Sequence, residues 1–373
     1  MILFKRNLQL NNFVKGFQRF YFTSSSYNSK NIQTNTNNIN NTTSTAPNKN
    51  STDSKKSENE IITDLYKFII GNRLNLEIRQ CKGDQKGKGR GLFYSGDSIL
   101  KKNELLYSEL PFVSFQSVVK NVSDSKQCTH CLGVIKESSS RGCGHDSCNE
   151  HYCSVECSEE SMKQYHQLLC EGSGFDKIKK QATIEKRRFP LLAAKILAKI
   201  MLDIHENKSI QNSWFPLQML SFAKKPAPLE WKDDYTLFKN SLLTSESSQK
   251  RFDYTWFTRV MQILYLNTVG INVGSLEPTV STPESGIGLY FLSSFINHSC
   301  DPNAVMTFPT NSETKVKLLK DIHPGDEILI SYGDNTKDIV DRKSHLFDNY
   351  GFDCQCTKCS SELPPKKKKI KNI

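Results

Sequence analysis

Ten of the twelve cysteines in this 373-residue sequence lie in two tight groups, and the spacing within each is that of metal ligands. The first reads Cys128-x2-Cys131, Cys143-x4-Cys148, Cys153-x3-Cys157 and His166-x3-Cys170, eight donors within 43 residues. Paired thiolates and imidazoles select zinc, and with no secretory signal the thiols are expected reduced rather than bridged. Eight donors fill two tetrahedral sites and leave no position open for a substrate, so both ions are expected to be structural. His145 sits inside the wide second pair and forms His145-x2-Cys148, so it competes with Cys143 as a donor. The second group, Cys354, Cys356 and Cys359, leaves a tetrahedral ion one ligand short, and Cys300 is the donor expected to complete it. The ligand count predicts about three zinc ions per chain.

Four other segments carry residues suited to chemistry. Gly87-Lys88-Gly89-Arg90-Gly91-Leu92-Phe93 has glycines spaced so that the backbone can turn tightly and approach a bound group, a pattern also met in plain turns. The run Phe295-Ile296-Asn297-His298-Ser299-Cys300-Asp301-Pro302-Asn303 is far more specific. About 30 residues on, the turn His323-Pro324-Gly325-Asp326 launches a short strand that is expected to end at Tyr332. Tyr350-Gly351-Phe352-Asp353 leads directly into the second cysteine group.

The run from Asn297 to Asn303 matches the SET-domain signature, and the whole arrangement resembles the SET and MYND (SMYD-type) family of protein-lysine methyltransferases. The cysteine-rich stretch is similar to a MYND zinc finger. That resemblance implies one site from Cys128, Cys131, Cys153 and Cys157 and another from Cys143, Cys148, His166 and Cys170. It also implies S-adenosyl-L-methionine as cofactor, with Lys88, Gly89, Arg90, Asn267, Asn297, His298, Tyr332 and Phe352 as its contacts and Tyr332 as the catalytic residue. Cys300, Cys354, Cys356 and Cys359 would form a post-SET zinc site. The reaction so implied is an in-line displacement at a methyl carbon by a neutral lysine amine, which needs alignment, exclusion of water and a desolvated aromatic channel. Tyr290 is a further candidate for that channel, with core packing as its competing role. The expected partner is a protein presenting a lysine, histone or not. The alternative is an inactive scaffold whose finger docks a proline-rich peptide. Longer family members carry a C-terminal helical-repeat domain, and with Ile373 fourteen residues after Cys359 the sequence reads as a short form without it.

The elements that must position these residues give an α+β fold: a SET β-fold of short sheets with a knot-like crossing, interrupted by a MYND zinc finger and a helical insert. The expected divisions are 1–60, a linker with targeting character; 70–127, the N-terminal SET part; 128–170, the finger; 171–285, the helical insert; 286–335, the C-terminal SET part; 336–360, the post-SET segment; and 361–373, a basic tail. Strand-like alternation marks Leu76 to Cys81 and Glu104 to Phe115. Leu191 to Ile204 and Trp256 to Leu266 read as amphipathic helices, the first with Lys195, Lys199 and Asp203 as its polar stripe. Polar residues 158–169 are helix-permissive, which would put His166 and Cys170 on one helical face.

The net charge of +11 resides in the tails. Six basic residues and no acid lie in residues 1–52, and five lysines lie in 366–373, so residues 53–365 are neutral. A basic nucleic-acid-binding face on the folded part is therefore not expected. No apolar run approaches the roughly 20 residues of a membrane span. Residues 1–26, basic and acid-free, resemble a mitochondrial transit segment, whereas Pro364 to Lys371 resembles a nuclear import signal.

Overall fold

In the computed structural model the described residues are 58–362, apart from 74, 82–88, 118–126, 137, 139, 207–212 and 275–283. The two competing targeting segments, residues 1–57 of the linker, the basic tail from 363 onward and Lys88 lie outside the described residues. Helix α1, Glu58–Ile70, begins inside the span read as linker. Ile61, Ile62, Leu65, Phe68 and Ile69 recur at steps of three and four, a helical stripe that the polar composition upstream conceals.

Strands β1, Leu76–Gln80, and β2, Arg90–Tyr94, pair antiparallel, so Arg90 to Phe93 of the glycine segment lie on the second arm of a hairpin. The stretch expected as one strand from Glu104 to Phe115 is two, β3, Leu105–Glu109, and β4, Val113–Gln116. The break falls at Pro111, which has no N–H for a ladder. Each half enters a different sheet. Strands β5, Thr268–Ile271, and β6, Gly286–Leu289, form a three-stranded sheet with β4, in the order β4-β6-β5. The segment assigned wholly to a helical insert, 171–285, therefore contains a strand of the β-fold. After the two-residue strand β7, Asn297–His298, strands β8, Ala304–Thr307, and β9, Thr314–Leu318, make the second three-stranded sheet, in the order β3-β9-β8. Strand β10, Leu329–Ile330, lies parallel to β7 with Leu329 opposite Asn297 and Ile330 opposite His298. Tyr332 falls two residues beyond this strand rather than at its end.

The insert is helical, as its spacing predicts. After helix α2, Val155–Ser161, come α3, Phe175–Ile184, α4, Phe189–His205, α5, Trp214–Gln218, α6, Glu230–Leu242, α7, Glu246–Arg251, and α8, Tyr254–Asn267. The middle of α4 is buried all round, and Phe238, Trp256 and Phe257 from α6 and α8 pack with ring centroids 5.1 to 6.3 Å apart. Among the described residues no helix is long and apolar enough to cross a membrane. Helix α2 runs on through a wide π turn, Met162–His166, and a final turn, Gln167–Leu169, and Cys170 is already extended at ψ 164°. His166 and Cys170, one turn apart, send their donors into the same group, and the chain leaves the helix only at Cys170. After β10 the chain forms α9, Ile339–Tyr350, closed by Gly351 at φ 74°, and α10, Thr357–Glu362.

The first residue of the polar stripe on α4 does not face water. Lys195 is 2% exposed; its Nζ donates to the Ser114 carbonyl at 2.8 Å and lies 4.1 Å from the centre of the Tyr165 ring. Burial lowers its pKa from 10.5 to about 7. The unfolded chain therefore holds this proton up to about pH 10 while the folded chain releases it near 7, so stability should rise with pH across that window. Below it both states are charged, and the folded state bears the full cost of a buried cation. Lys195→Met is expected to raise unfolding stability at pH 6 by about 1–3 kcal/mol and to flatten the rise between pH 7 and 10, read by denaturant unfolding at each pH. Lys199, lowered to about 8 by burial, preserves part of that rise.

Candidate active site and metal centres

Three groups of four donors converge. Cys128, Cys131, Cys153 and Cys157 form the first, Cys143, Cys148, His166 and Cys170 the second, and Cys300, Cys354, Cys356 and Cys359 the third, with the donor atoms of each group all within 4.8 Å of one another. Four sulfurs held at about 2.3 Å from a tetrahedral zinc are about 3.8 Å apart. Here Cys131–Cys153 and Cys153–Cys157 measure 3.6 Å, Cys143–Cys170 3.8 Å, Cys300–Cys354 3.9 Å and Cys300–Cys359 3.5 Å. Cys148 Sγ lies 3.6 Å from His166 Nε2, and burial lowers the His166 pKa, which favours the neutral imidazole that a metal needs. The donor sets and spacings fit zinc. His145 is exposed, with Nδ1 3.0 Å from Ser147 Oγ, and the sulfur that joins the second group is that of Cys143.

Beside the third group, segments 30 residues apart are locked together. The Asn303 amide donates to the Glu327 carbonyl and accepts from the Leu329 N–H, both at 2.8 Å, and Ser299 N–H donates to the Ile330 carbonyl. This register places Tyr332 against His298. The Tyr332 N–H donates to His298 Nδ1 at 3.0 Å, which in a neutral ring leaves the proton on Nε2, 3.2 Å from Cys300 Sγ. The Tyr332 hydroxyl donates to the Ile296 carbonyl at 2.6 Å, and burial holds its pKa well above the usual value. Phe352 packs with its ring 6.0 Å from that of His298 and 6.5 Å from that of Tyr332. A cavity of about 220 Å³ beside them is lined by His298, Cys300, Ser331, Gly333, Arg342 and His345, among others.

Asn297 points toward the β1–β2 hairpin. Its Nδ2 donates to Glu327 Oε1 at 2.7 Å and to the Arg90 carbonyl at 3.2 Å, with Cys81 Sγ at 3.5 Å. At Gly91 a Cβ would meet Glu327 Oε1 at 2.6 Å and Asn297 Nδ2 at 2.9 Å, so any larger residue there would displace the Asn297–Glu327 side-chain pair. Arg90 stacks over the Phe295 ring at 5.2 Å and donates to the Met219 carbonyl, and the Gly89 carbonyl accepts from the Cys81 N–H at 3.0 Å. Asn267, at the end of α8, is buried and its Nδ2 donates to the Ser221 and Ile263 carbonyls, each at 2.7 Å. Tyr290 is fully buried with Leu132, Ile271 and Phe308 and bonds to the Ser312 carbonyl, which is the core role.

Sequence reasoning missed two residues. Tyr350 stands with its ring 4.8 Å from that of Tyr332, completing an aromatic group with Phe352; its place two residues before Phe352 was the available signal. Glu109 had none. Its buried carboxylate accepts from the Leu292 and Ser293 N–H groups and the Ser293 hydroxyl at 2.7 to 2.9 Å, fixing the turn Ser293–Phe295 that delivers Asn297 and His298.

The knitting of β7 to β10, the hairpin over Asn297 and the terminal cysteine group define a SET-domain protein, and the SET domain model matches residues 89–333. The chain belongs to that family, on its SET and MYND side: it is 49% identical to a SET and MYND domain-containing protein of Dictyostelium discoideum over 84% of this chain and 96% of the relative. It is 27% identical to the protein-lysine N-trimethyltransferase SMYD5 of Homo sapiens, over 80% of this chain and 90% of that protein. It is also 26% identical to the histone-lysine N-methyltransferase SET5 of Vanderwaltozyma polyspora, over 80% of this chain and 64% of that one.

Proposed function

We propose that this protein is an S-adenosyl-L-methionine-dependent protein-lysine methyltransferase with three structural zinc ions, two in a MYND-type finger and one in a post-SET segment. The observation that carries the reading is the convergence of Tyr332, His298 and Phe352 from three separate segments beside the Cys300 group. S-adenosyl-L-methionine, when bound, supplies a methyl group on a sulfonium sulfur. Asn297 and His298, with Gly89, Arg90 and Phe352, are the residues that would hold it, and Lys88 and Asn267 extend the set. Tyr332, Tyr350 and Phe352 present aromatic surface that desolvates an incoming lysine and lowers its pKa, so that it arrives with a lone pair. The Tyr332 hydroxyl, kept protonated by its raised pKa, orients the amine rather than acting as a base. All three ions fill structural sites and none touches the reacting carbon.

The test is incubation of the purified protein with methyl-labelled S-adenosyl-L-methionine and a cell extract, alongside a His298→Ala variant. Label is expected on discrete proteins, at lysine, and lost in the variant. Label that persists in His298→Ala, or none with the wild type, would favour a scaffold whose finger docks peptides.

A further inference from the structure

We propose that Arg342 is a positioning residue of the third metal centre: its buried guanidinium offsets the charge of four thiolates and ties the cluster to the loop that follows Tyr332. The assignment rests on reading Cys300, Cys354, Cys356 and Cys359 as a zinc site.

Four thiolates around a dication carry a net charge of −2. Cys300, Cys354 and Cys359 are 2%, 4% and 0% exposed, so water does little to solvate that charge. A buried anion of this kind needs donors or a countercharge from the protein. Arg342 is itself 5% exposed, an unusual place for a guanidinium unless anions surround it. Its Nη2 donates to Cys359 Sγ at 3.7 Å and to Glu362 Oε2 at 2.7 Å, and its Nη1 donates to the Lys337 carbonyl. One turn further along α9, Leu346 packs into the same cysteine cluster, so the helix presents residues 342 and 346 to the metal group. Glu362 is about one-third exposed, so the cluster's sulfurs supply the rest of the countercharge.

The geometry also explains why arginine stands here. A planar fork reaches a sulfur, a carboxylate and a main-chain carbonyl at once, which a lysine ammonium at the end of a flexible stem does less well. Lys337 lies five residues after Tyr332, and the same loop is held a second time by Lys358 Nζ on the Asn335 carbonyl at 2.7 Å. The loop behind the tyrosine is therefore fastened to α10 and the cysteine group through two cations.

The measurement is zinc release from the full-length protein to a chromogenic chelator, with total metal determined beforehand. In Arg342→Met, one of three ions is expected to leave about 10–100-fold faster than in the wild type, with the other two unchanged. Arg342→Lys should fall between, and Glu362→Gln, which leaves the cation in place, should change release less than Arg342→Met. Wild-type release of all three ions from Arg342→Met would overturn the assignment and leave the zinc reading standing. A wild-type chain holding only two ions, both in the finger, would overturn both. If Arg342→Met fails to fold by far-UV circular dichroism, Arg342→Lys decides: faster release of one ion supports the role, and wild-type release removes it.

Discussion

Tyr332→Phe is expected to lower methyl transfer to lysine by about 100-fold or more while leaving the fold and the metal content intact. The change removes one oxygen whose hydroxyl donates to the Ile296 carbonyl at 2.6 Å. The N–H of residue 332 still reaches His298 Nδ1, because that bond is main chain on the tyrosine side. Aromatic contact with Tyr350 and Phe352 is likewise kept. On the proposed mechanism what is lost is the polar group that orients the amine, and a small misplacement of reacting atoms costs rate steeply. The stability cost is the unpaired Ile296 carbonyl, about 1–3 kcal/mol. Rate measured against thermal midpoint separates the two: a variant that keeps its activity would remove Tyr332 from the chemistry, whatever its midpoint.

Much of this site was legible because its residues sit in short local patterns. Pairs of cysteines two to five positions apart, and the run from Asn297 to Asn303, announce their chemistry without reference to the rest of the chain. Even the donor from outside its group, Cys300, followed from counting ligands. What could not be read is what depends on distant packing. Glu109 reaches Leu292 across 183 residues, and nothing near Glu109 marks it as the clamp on the signature turn. The α4 stripe was read correctly as polar, but only packing places Lys195 under Tyr165 and Phe115. Arg342 is one basic residue in a polar helix, and its burial comes from a cluster whose members are 12 to 42 residues away. Local rules also erred where two signals overlapped. The alternation from 104 to 115 masked Pro111, and the helix-permissive residues before Cys170 hid the π turn at Met162–His166.

Removing the metals is expected to have the largest effect on structure. The finger from Cys128 to Cys170 has a small buried cluster, Cys128, Ile135 and Tyr152, with other cysteines packed around it. Two of its donors, Cys128 and His166, are themselves buried. Structural zinc contributes about 10–16 kcal/mol to comparable small modules, more than such a core can replace. Metal analysis should find about three zinc ions per chain, and Cys148→Ser should lower this by one and unfold the finger. Cys354→Ser should lower it by one as well, with a different consequence. The Cys300 sulfur lies 3.2 Å from His298 Nε2, so an emptied third site frees the imidazole that receives the Tyr332 N–H. Methyl transfer should therefore fall in Cys354→Ser even though the finger stays folded, and fall less in Cys148→Ser, whose site lies outside the Tyr332 group. Equal losses of activity in the two variants would mean that the third centre has no privileged link to Tyr332. A zinc count of two in the wild type, unchanged by Cys354→Ser, would mean that the terminal cysteines close over the site without a metal.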